Sequence, residues 1–302
     1  MKLIFLGTAG SFPTSHRSLP AIAIQYANTL CLFDCGEGLQ RQIFTAGIKF
    51  RHPFKIFVTH LHGDHIFGLP GLLQTMSLLN LEKPVEVYGP QGILDFIVNI
   101  LKLIRFHLTF PLKIVEVTEG LVCMDPQYTV QCTWADHNIP NLAYALQENE
   151  RPGRFFPQQA HDLGVPEGPL WSQLQQGKEI TLTNGRIITP GEVLGPPRPG
   201  RKIVYTGDTK PCSSVIRLAK NADILIHDAT FADALQERAI SHGHSTPSQA
   251  ASIAQRAQVK HLILTHLSSR YTDGSLLRKQ AEHIFPAVTI AEDFLEIEVP
   301  RC

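Results

Sequence analysis

His60-Leu61-His62-Gly63-Asp64-His65 places three imidazoles and a carboxylate within six residues, directly after the apolar run Ile56-Phe57-Val58-Thr59. Neutral imidazole nitrogens and a carboxylate oxygen suit Zn(II) and its neighbours. No cysteine pair stands beside them, which argues against a closed structural zinc knot and for an open, catalytic site. A lone histidine reads as a surface or packed residue, whereas four ligand-type side chains at this spacing read as metal ligands.

A binuclear site takes about seven protein ligands, and the others should stand where apolar strands deliver them. Three runs have that form: Val130-Gln131-Cys132-Thr133-Trp134-Ala135-Asp136-His137, Ile203-Val204-Tyr205-Thr206-Gly207-Asp208 and Leu262-Ile263-Leu264-Thr265-His266. On this reading His60, His62 and His137 hold one ion, Asp64, His65 and His266 hold the other, and Asp208 bridges both. Two ions about 3.5 to 4 Å apart lower the pKa of a shared hydroxide and stabilise the attacking and leaving oxygens of a displacement. That machinery hydrolyses esters, most naturally phosphodiesters.

Such a hydrolase must also protonate a departing alkoxide. A histidine whose charged form is stabilised by a neighbouring carboxylate is suited to that task. His244, in Ser241-His242-Gly243-His244-Ser245-Thr246, fits with Asp228 of His227-Asp228-Ala229-Thr230 as its orienting partner; His242 and His227 are weaker alternatives.

The elements that must position these residues are strand-like runs at 2–6, 21–26, 29–33, 55–59, 85–88, 112–117, 129–134, 142–146, 202–206, 224–226, 261–265 and 289–299. Helical patterns span about 37–46, 66–80, 91–104, 213–221, 231–239, 247–257 and 276–284. Thr246-Pro247-Ser248-Gln249 combines a capping box with proline at the first helical position, so residues 241–245 should form a loop. Strands interspersed with helices imply a layered α/β protein.

The 302 residues, 43% hydrophobic and 18% charged, can bury a large core as a single domain. Lys+Arg and Asp+Glu both number 27, so any contact with nucleic acid must come from a local patch. The opening apolar run is too short for a secretion signal and no later run reaches the length of a membrane span, so no membrane contact and a cytoplasmic location are expected. The six cysteines show no framework spacing and read as reduced thiols with packing roles.

Residues 151–200 hold eight prolines and eight glycines and are expected to be mostly irregular. Glu179-Ile180-Thr181-Leu182 and Arg186-Ile187-Ile188 flank Thr183-Asn184-Gly185 as a candidate hairpin. Through Lys202 the segment carries seven basic residues against four acidic ones, the nearest approach to a basic patch in the chain.

The H-x-H-x-D-H motif with His137, Asp208 and His266 resembles the metallo-β-lactamase superfamily. Within it the chain resembles the short form of the ribonuclease Z family. Phe5-Leu6-Gly7-Thr8, Phe33-Asp34-Cys35-Gly36-Glu37-Gly38, Gly68-Leu69-Pro70-Gly71, Gly207-Asp208-Thr209, His244-Ser245-Thr246 and Leu264-Thr265-His266-Leu267-Ser268-Ser269-Arg270-Tyr271 carry that resemblance end to end. It implies an α/β fold, a four-layer αβ/βα sandwich of two packed mixed sheets flanked by helices, spanning 1–302 as one domain with 151–200 inserted as a tRNA-gripping exosite arm. It also implies two Zn2+ ions per chain with Mn2+ as a substitute, a homodimer, and tRNA precursor as partner, cut to leave a 3′-hydroxyl on the tRNA. Asp64 would double as general base, His244 with Asp228 would protonate the leaving oxygen, and Arg17, Arg151, Arg154 and Arg270 would contact RNA.

Two departures from the family pattern carry expectations. Many members have Glu at the Asp228 position, so the shorter side chain should reach His244 weakly or through water. Pro13-Thr14-Ser15-His16-Arg17-Ser18 keeps only Arg17 of the charges in a Pro-Thr-Lys-x-Arg-Asn motif. The rival readings are another binuclear-metal hydrolase of the same fold acting on a small substrate, and a metal-stabilised RNA-binding protein without chemistry.

Overall fold

The computed structural model describes residues 1–301. Sixteen strands are formed among them. These are β1 (Lys2–Gly7), β2 (Ala21–Tyr26), β3 (Thr29–Phe33), β4 (Phe54–Phe57), β5 (Val85–Gly89), β6 (Leu112–Glu116), β7 (Gly120–Met124), β8 (Tyr128–Ala135) and β9 (Asn141–Glu148). The rest are β10 (Ile180–Thr181), β11 (Ile187–Ile188), β12 (Lys202–Tyr205), β13 (Ile224–Asp228), β14 (His261–Thr265), β15 (Val288–Ile290) and β16 (Glu296–Glu298). The helices are α1 (Leu39–Thr45), α2 (Gly63–Ile66), α3 (Gly68–Leu78), α4 (Ile93–Leu103), α5 (Pro157–Asp162), α6 (Pro169–Gln175), α7 (Ser213–Ala219), α8 (Gln236–Ser241), α9 (Pro247–Ala257) and α10 (Ser275–Glu282).

The chain divides into two compact units, Met1–Gln147 with Lys202–Pro300, and Glu148–Arg201 with Arg301. The larger holds two mixed seven-stranded sheets, in the orders β16-β1-β2-β3-β4-β5-β6 and β15-β14-β13-β12-β9-β8-β7. Strand alternation builds the layers, because both faces of each sheet are apolar. Leu3, Phe5, Ile22, Ile24, Phe33 and Phe57 of the first sheet meet Tyr128, Leu142, Tyr144, Ile203, Tyr205 and Ile226 of the second. The opposite faces pack on helices: Ile4, Leu6, Leu32 and Ile56 on α1, α3 and α4, and Ala143, Ala145, Val204, Leu225 and Leu264 on α7, α9 and α10. Alanines on both sides of the second contact, including Ala250, Ala251, Ala254 and Ala257, let α9 lie close to its sheet. The result is the helix–sheet–sheet–helix sandwich expected from the resemblance.

Two departures from the expected elements stand out. Residues 120–124, not expected as a strand, form edge strand β7. The run 289–299 is two strands in different sheets, β15 and β16. Between them Phe294 takes a left-handed backbone (φ 67°), and Asp293 accepts hydrogen bonds from Thr8 Oγ1 at 2.8 Å, Ser18 N at 2.7 Å and Gln42 Nε2 at 3.1 Å. Alternation alone does not reveal a corner held by such distant groups.

Residues 151–200 are mostly irregular, as expected, but they hold more regular structure than the candidate hairpin alone. Prolines at the first helical turn start α5 and α6, the hairpin β10–β11 turns at Gly185 (φ 83°), and a small core unites Ala160, Val165, Leu174, Ile180, Ile188 and Val193. Here proline opens helices as well as breaking them. Arg201 and Glu148, both buried, pair at 2.7 Å within this unit.

Cys31, Cys35, Cys123, Cys132 and Cys212 are free thiols, while Cys302 lies outside the described residues. Among the described residues no helix is long and apolar enough to cross a membrane.

Candidate metal centre

The histidine-rich motif leaves β4 as a loop and closes into the one-turn helix α2 with His62 at its N-cap, so Asp64 and His65 stand in that turn. His137 follows β8, Asp208 follows β12, Asp228 ends β13 and His266 follows β14. Strand tips from both sheets therefore converge on one cleft.

The convergence falls into groups. In each of the sets His60, His62, His137, Asp208 and Asp64, His65, His266, one ligand atom per residue lies within 4.8 Å of all the others. His62 Nδ1 is 3.1 Å from His60 Nε2 and 3.3 Å from His137 Nε2. His266 Nε2 lies 3.5 Å from Asp64 Oδ2. Asp208 faces both sets, with Oδ2 3.7 Å from His60 Nε2 and Oδ1 3.4 and 3.3 Å from the Nε2 atoms of His65 and His266.

The donors fit a bound cation on the structure's own terms. His65 Nε2, His266 Nε2 and Asp208 Oδ1 are buried, make no hydrogen bond and point at one another. Buried polar atoms are almost always paired, so three unsatisfied electron-pair donors in one spot are what a cation would complete. Burial lowers the pKa of His60 and His62, keeping these two imidazoles in the neutral form that ligates, whereas at His65 burial is outweighed by Asp208 and Asp34, which raise it.

The far sides of the rings are engaged. His137 Nδ1 is 2.8 Å from Gly243 O, and His266 Nδ1 is 2.8 Å from Thr230 Oγ1. Asp34 serves two rings: its Oδ2 is 2.7 Å from His65 Nδ1, and its carboxylate accepts from Thr59 Oγ1, which lies 2.9 Å from His60 Nδ1. Tyr205 OH and Thr59 N also donate to Asp34, at 2.8 and 2.7 Å. Such partners fix ring orientation and tautomer. Two members of this outer ring, Thr59 and Thr230, were not singled out by sequence reasoning. Asp34 appeared only inside a quoted motif, although it ends an apolar strand just as Asp208 and His266 do.

Backbone geometry holds the site as well. His266 (φ 60°) and Asp34 (φ 59°) adopt the left-handed conformation that non-glycine residues rarely take. Gly207 (φ 60°) precedes Asp208 where a Cβ would lie 2.7 Å from Asn141 Oδ1 and 2.8 Å from Thr59 Cβ. Asn141 Nδ2 in turn donates to the carbonyls of Thr206 and Asp208, fixing the loop that aims the carboxylate.

Beside the ligand sets, His244 Nδ1 meets Asp228 Oδ2 directly at 2.8 Å. The weak or water-bridged contact expected of the shorter Asp does not occur, because β13 brings the carboxylate all the way to the ring. Burial opposes the charge on His244, yet attraction to Asp228 carries its pKa up to about 9. The Asp228 oxygens also accept from Thr209 N at 3.2 Å and from Thr230 N and Oγ1 at 2.9 and 2.6 Å, so this carboxylate orients His244 rather than standing open to a cation. Of the alternatives, His242 is exposed beside the cleft with Nδ1 2.9 Å from Arg238 O, and His227 is buried with Nδ1 2.8 Å from Asp228 O.

The arginines separate. Arg17 is buried, donating to Thr8 Oγ1 at 2.7 Å and Ala291 O at 2.5 Å, so it braces the β1–β2 loop and is not presented to RNA as expected. Arg270 is exposed, its guanidinium 5.7 Å from the Phe231 ring centre. Arg154 is exposed, and half-buried Arg151 pairs backbone to backbone with Arg198.

Comparison with known proteins agrees with this architecture. A beta-lactamase superfamily domain model matches residues 172–267, and a model described as anti-Pycsar protein Apyc1 matches residues 1–101. The ribonuclease Z of Methanosarcina mazei is 43% identical over 303 residues, covering 99% of this chain and 98% of that protein; that of Brevibacillus brevis is 44% identical over 310 residues, covering 100% and 98%. The chain belongs to the ribonuclease Z family. The crystal structure of human tRNase Z, short form, superposes with a TM-score of 0.73 at 30% identity, covering 99% of this chain and 100% of that one. A small-substrate hydrolase is not favoured, since the ribonuclease Z likeness runs the length of the chain.

Proposed function

We propose that the chain is an endoribonuclease that removes the 3′ trailer from tRNA precursors. The observation that carries this reading is the joining, in one cleft, of two ligand sets bridged by Asp208 with the His244–Asp228 pair beside them. His60, His62 and His137 would hold one divalent ion and Asp64, His65 and His266 the other, zinc in both places with manganese as a substitute. Such ions supply Lewis acidity toward the phosphodiester and bring the pKa of an attacking water toward neutrality. Asp64 would receive the proton of that water. His244, held by Asp228, donates a proton to the departing 3′ oxygen, leaving a hydroxyl on the tRNA and a phosphate on the trailer.

The 148–201 unit is the substrate-gripping arm on this reading, with Arg151 and Arg154 its first contacts and Arg270 a further one. We also assign a homodimer. Exposed Leu94 and Val98, one turn apart on the same face of α4, offer apolar surface suited to a second copy. A cytoplasmic location accords with this substrate.

The test is incubation of the purified protein with Zn2+ or Mn2+ and a tRNA precursor, followed by mapping of both product ends. Cleavage next to the discriminator nucleotide is expected; hydrolysis of small diesters alone would overturn the reading. Light scattering should give twice the chain mass, and Leu94→Glu should reduce it to one.

A further inference from the structure

Two large aromatic side chains stand in solvent at the mouth of the cleft. Phe12 is 57% exposed and Phe67 61%. Both line the same cavity of about 580 Å³ as His62, Asp64, Asp208 and His244. Among the described residues neither ring pairs with another aromatic ring.

These rings are exposed yet held. Phe67 is the single residue between α2 and α3, and its ring lies against Gly63, where a Cβ would come within 2.4 Å of a ring carbon. Phe12 rides on the β1–β2 loop, which is tied down on each side of it. Ser11 N donates to Asp64 Oδ2 at 3.0 Å, Gly10 N to Leu267 O at 3.0 Å and Thr14 N to Arg17 O at 2.8 Å, with Arg17 itself buried. A left-handed Ser11 (φ 68°) adds to the loop's defined shape. A lone exposed phenylalanine needs no explanation; two anchored ones at the rim of a polar reaction cleft do.

The charge of the cleft narrows what they meet. Among its described lining residues are the acids Glu37, Asp64 and Asp208 but no lysine or arginine. A polynucleotide entering here finds little to grip its phosphates besides the catalytic groups, so its purchase must come from elsewhere. Every nucleobase presents a π-face, and stacking on protein aromatics holds single strands whatever their sequence.

We propose that Phe12 and Phe67 are stacking platforms for the unpaired nucleotides flanking the scissile phosphate. They position the single-stranded 3′ segment by its bases while the polar residues below handle the phosphate. This rests on the endoribonuclease reading above.

The experiment uses the full metal-loaded chain and tRNA precursors, intact or with one abasic nucleotide on either side of the scissile bond. Phe12→Ala and Phe67→Ala should each raise KM for the intact precursor about tenfold with kcat little changed, as loss of one stacked base requires. Phe→Trp at either position should restore KM, while Phe→Leu, apolar but unable to stack, should not. On an abasic precursor the alanine penalty should shrink to less than about twofold for the ring facing the missing base. A 2-aminopurine beside the scissile bond should be quenched on mixing with wild type and not with the double alanine variant. Both side chains are exposed, so unchanged thermal melting separates lost stacking from lost folding. Equal alanine penalties on intact and abasic precursors, or equal quenching by wild type and double variant, would overturn the proposal. Failure of the wild type to cleave any precursor would remove the parent reading, and this one with it.

Discussion

In the cleft, ligand-type side chains drawn from residues 60 to 266 gather in sets whose ligand atoms lie within 4.8 Å of one another; His60 and His65 are fully buried, as are Asp34 and Asp228 behind them. In the 148–201 unit, six buried apolar residues form the core, and Arg154 and Glu167 stand in solvent. The cleft gains its order from groups far apart in sequence, tied to one another by hydrogen bonds such as those that converge on Asp34 and Asp228. The other unit gains its order locally, from two helices and a two-residue-per-strand hairpin. Positioning a reacting phosphate needs tolerances of a few tenths of an ångström, which a cross-linked set of strand tips can hold. Gripping a remote part of a large substrate needs reach and charge, which a small self-contained unit can provide.

The sharpest way to break this contrast is at Asp64. Asp64→Ala should reduce cleavage of precursor and of a small chromogenic diester alike by at least about a thousandfold, because ligand and proton acceptor are lost together. Wild-type rates in single-turnover assays would refute the assignment.

His244→Ala should slow precursor cleavage by about a hundredfold. A p-nitrophenyl diester, whose leaving group departs without a proton, should be hydrolysed at nearly the wild-type rate. Equal losses on both substrates would place His244 among the ligands instead of the proton donors.

Asp34→Asn preserves shape but presents an amide donor where His65 Nδ1 and Thr59 Oγ1 need an acceptor. Metal affinity, measured by chelator competition, should fall about 10- to 100-fold, and more than for Thr230→Ala, which serves only His266 of the rings of the two ligand sets. An unchanged affinity would mean that Asp34 is merely structural.

Deleting residues 155–195 should have the smallest effect on chemistry. Cleavage of precursor should drop about tenfold relative to that of the small diester, with a shallower dependence on salt. Parallel losses on the two substrates would erase the distinction between the regions.

Much of this was legible in the chain itself. The ligand types and the apolar run before each of them are local properties, and His137, Asp208 and His266 could be picked out because each ends a strand. Prolines 157 and 169 also carried a readable signal, since both sit at a first helical turn, although the composition of the segment pointed only to irregular structure. Other features had no local signature. Arg17 looked like a substrate contact until the fold buried it against Ala291, and the single run 289–299 became two strands because Asp293 is held by Thr8, Ser18 and Gln42.

The sequence by itself determined which chemistry this protein could attempt: imidazoles and carboxylates that bind divalent ions, a histidine able to donate a proton, and strands with two apolar faces that must lie between layers. Side-chain identity carries that information wherever the residue ends up. Only the tertiary structure decided how closely the two donor sets meet around Asp208, that Asp34 steadies two of the rings, that Asp228 reaches His244 without water, and that Phe12 and Phe67 face solvent above the cleft. Those outcomes depend on distances between groups remote in the chain, and packing of the two sheets and their helices sets them.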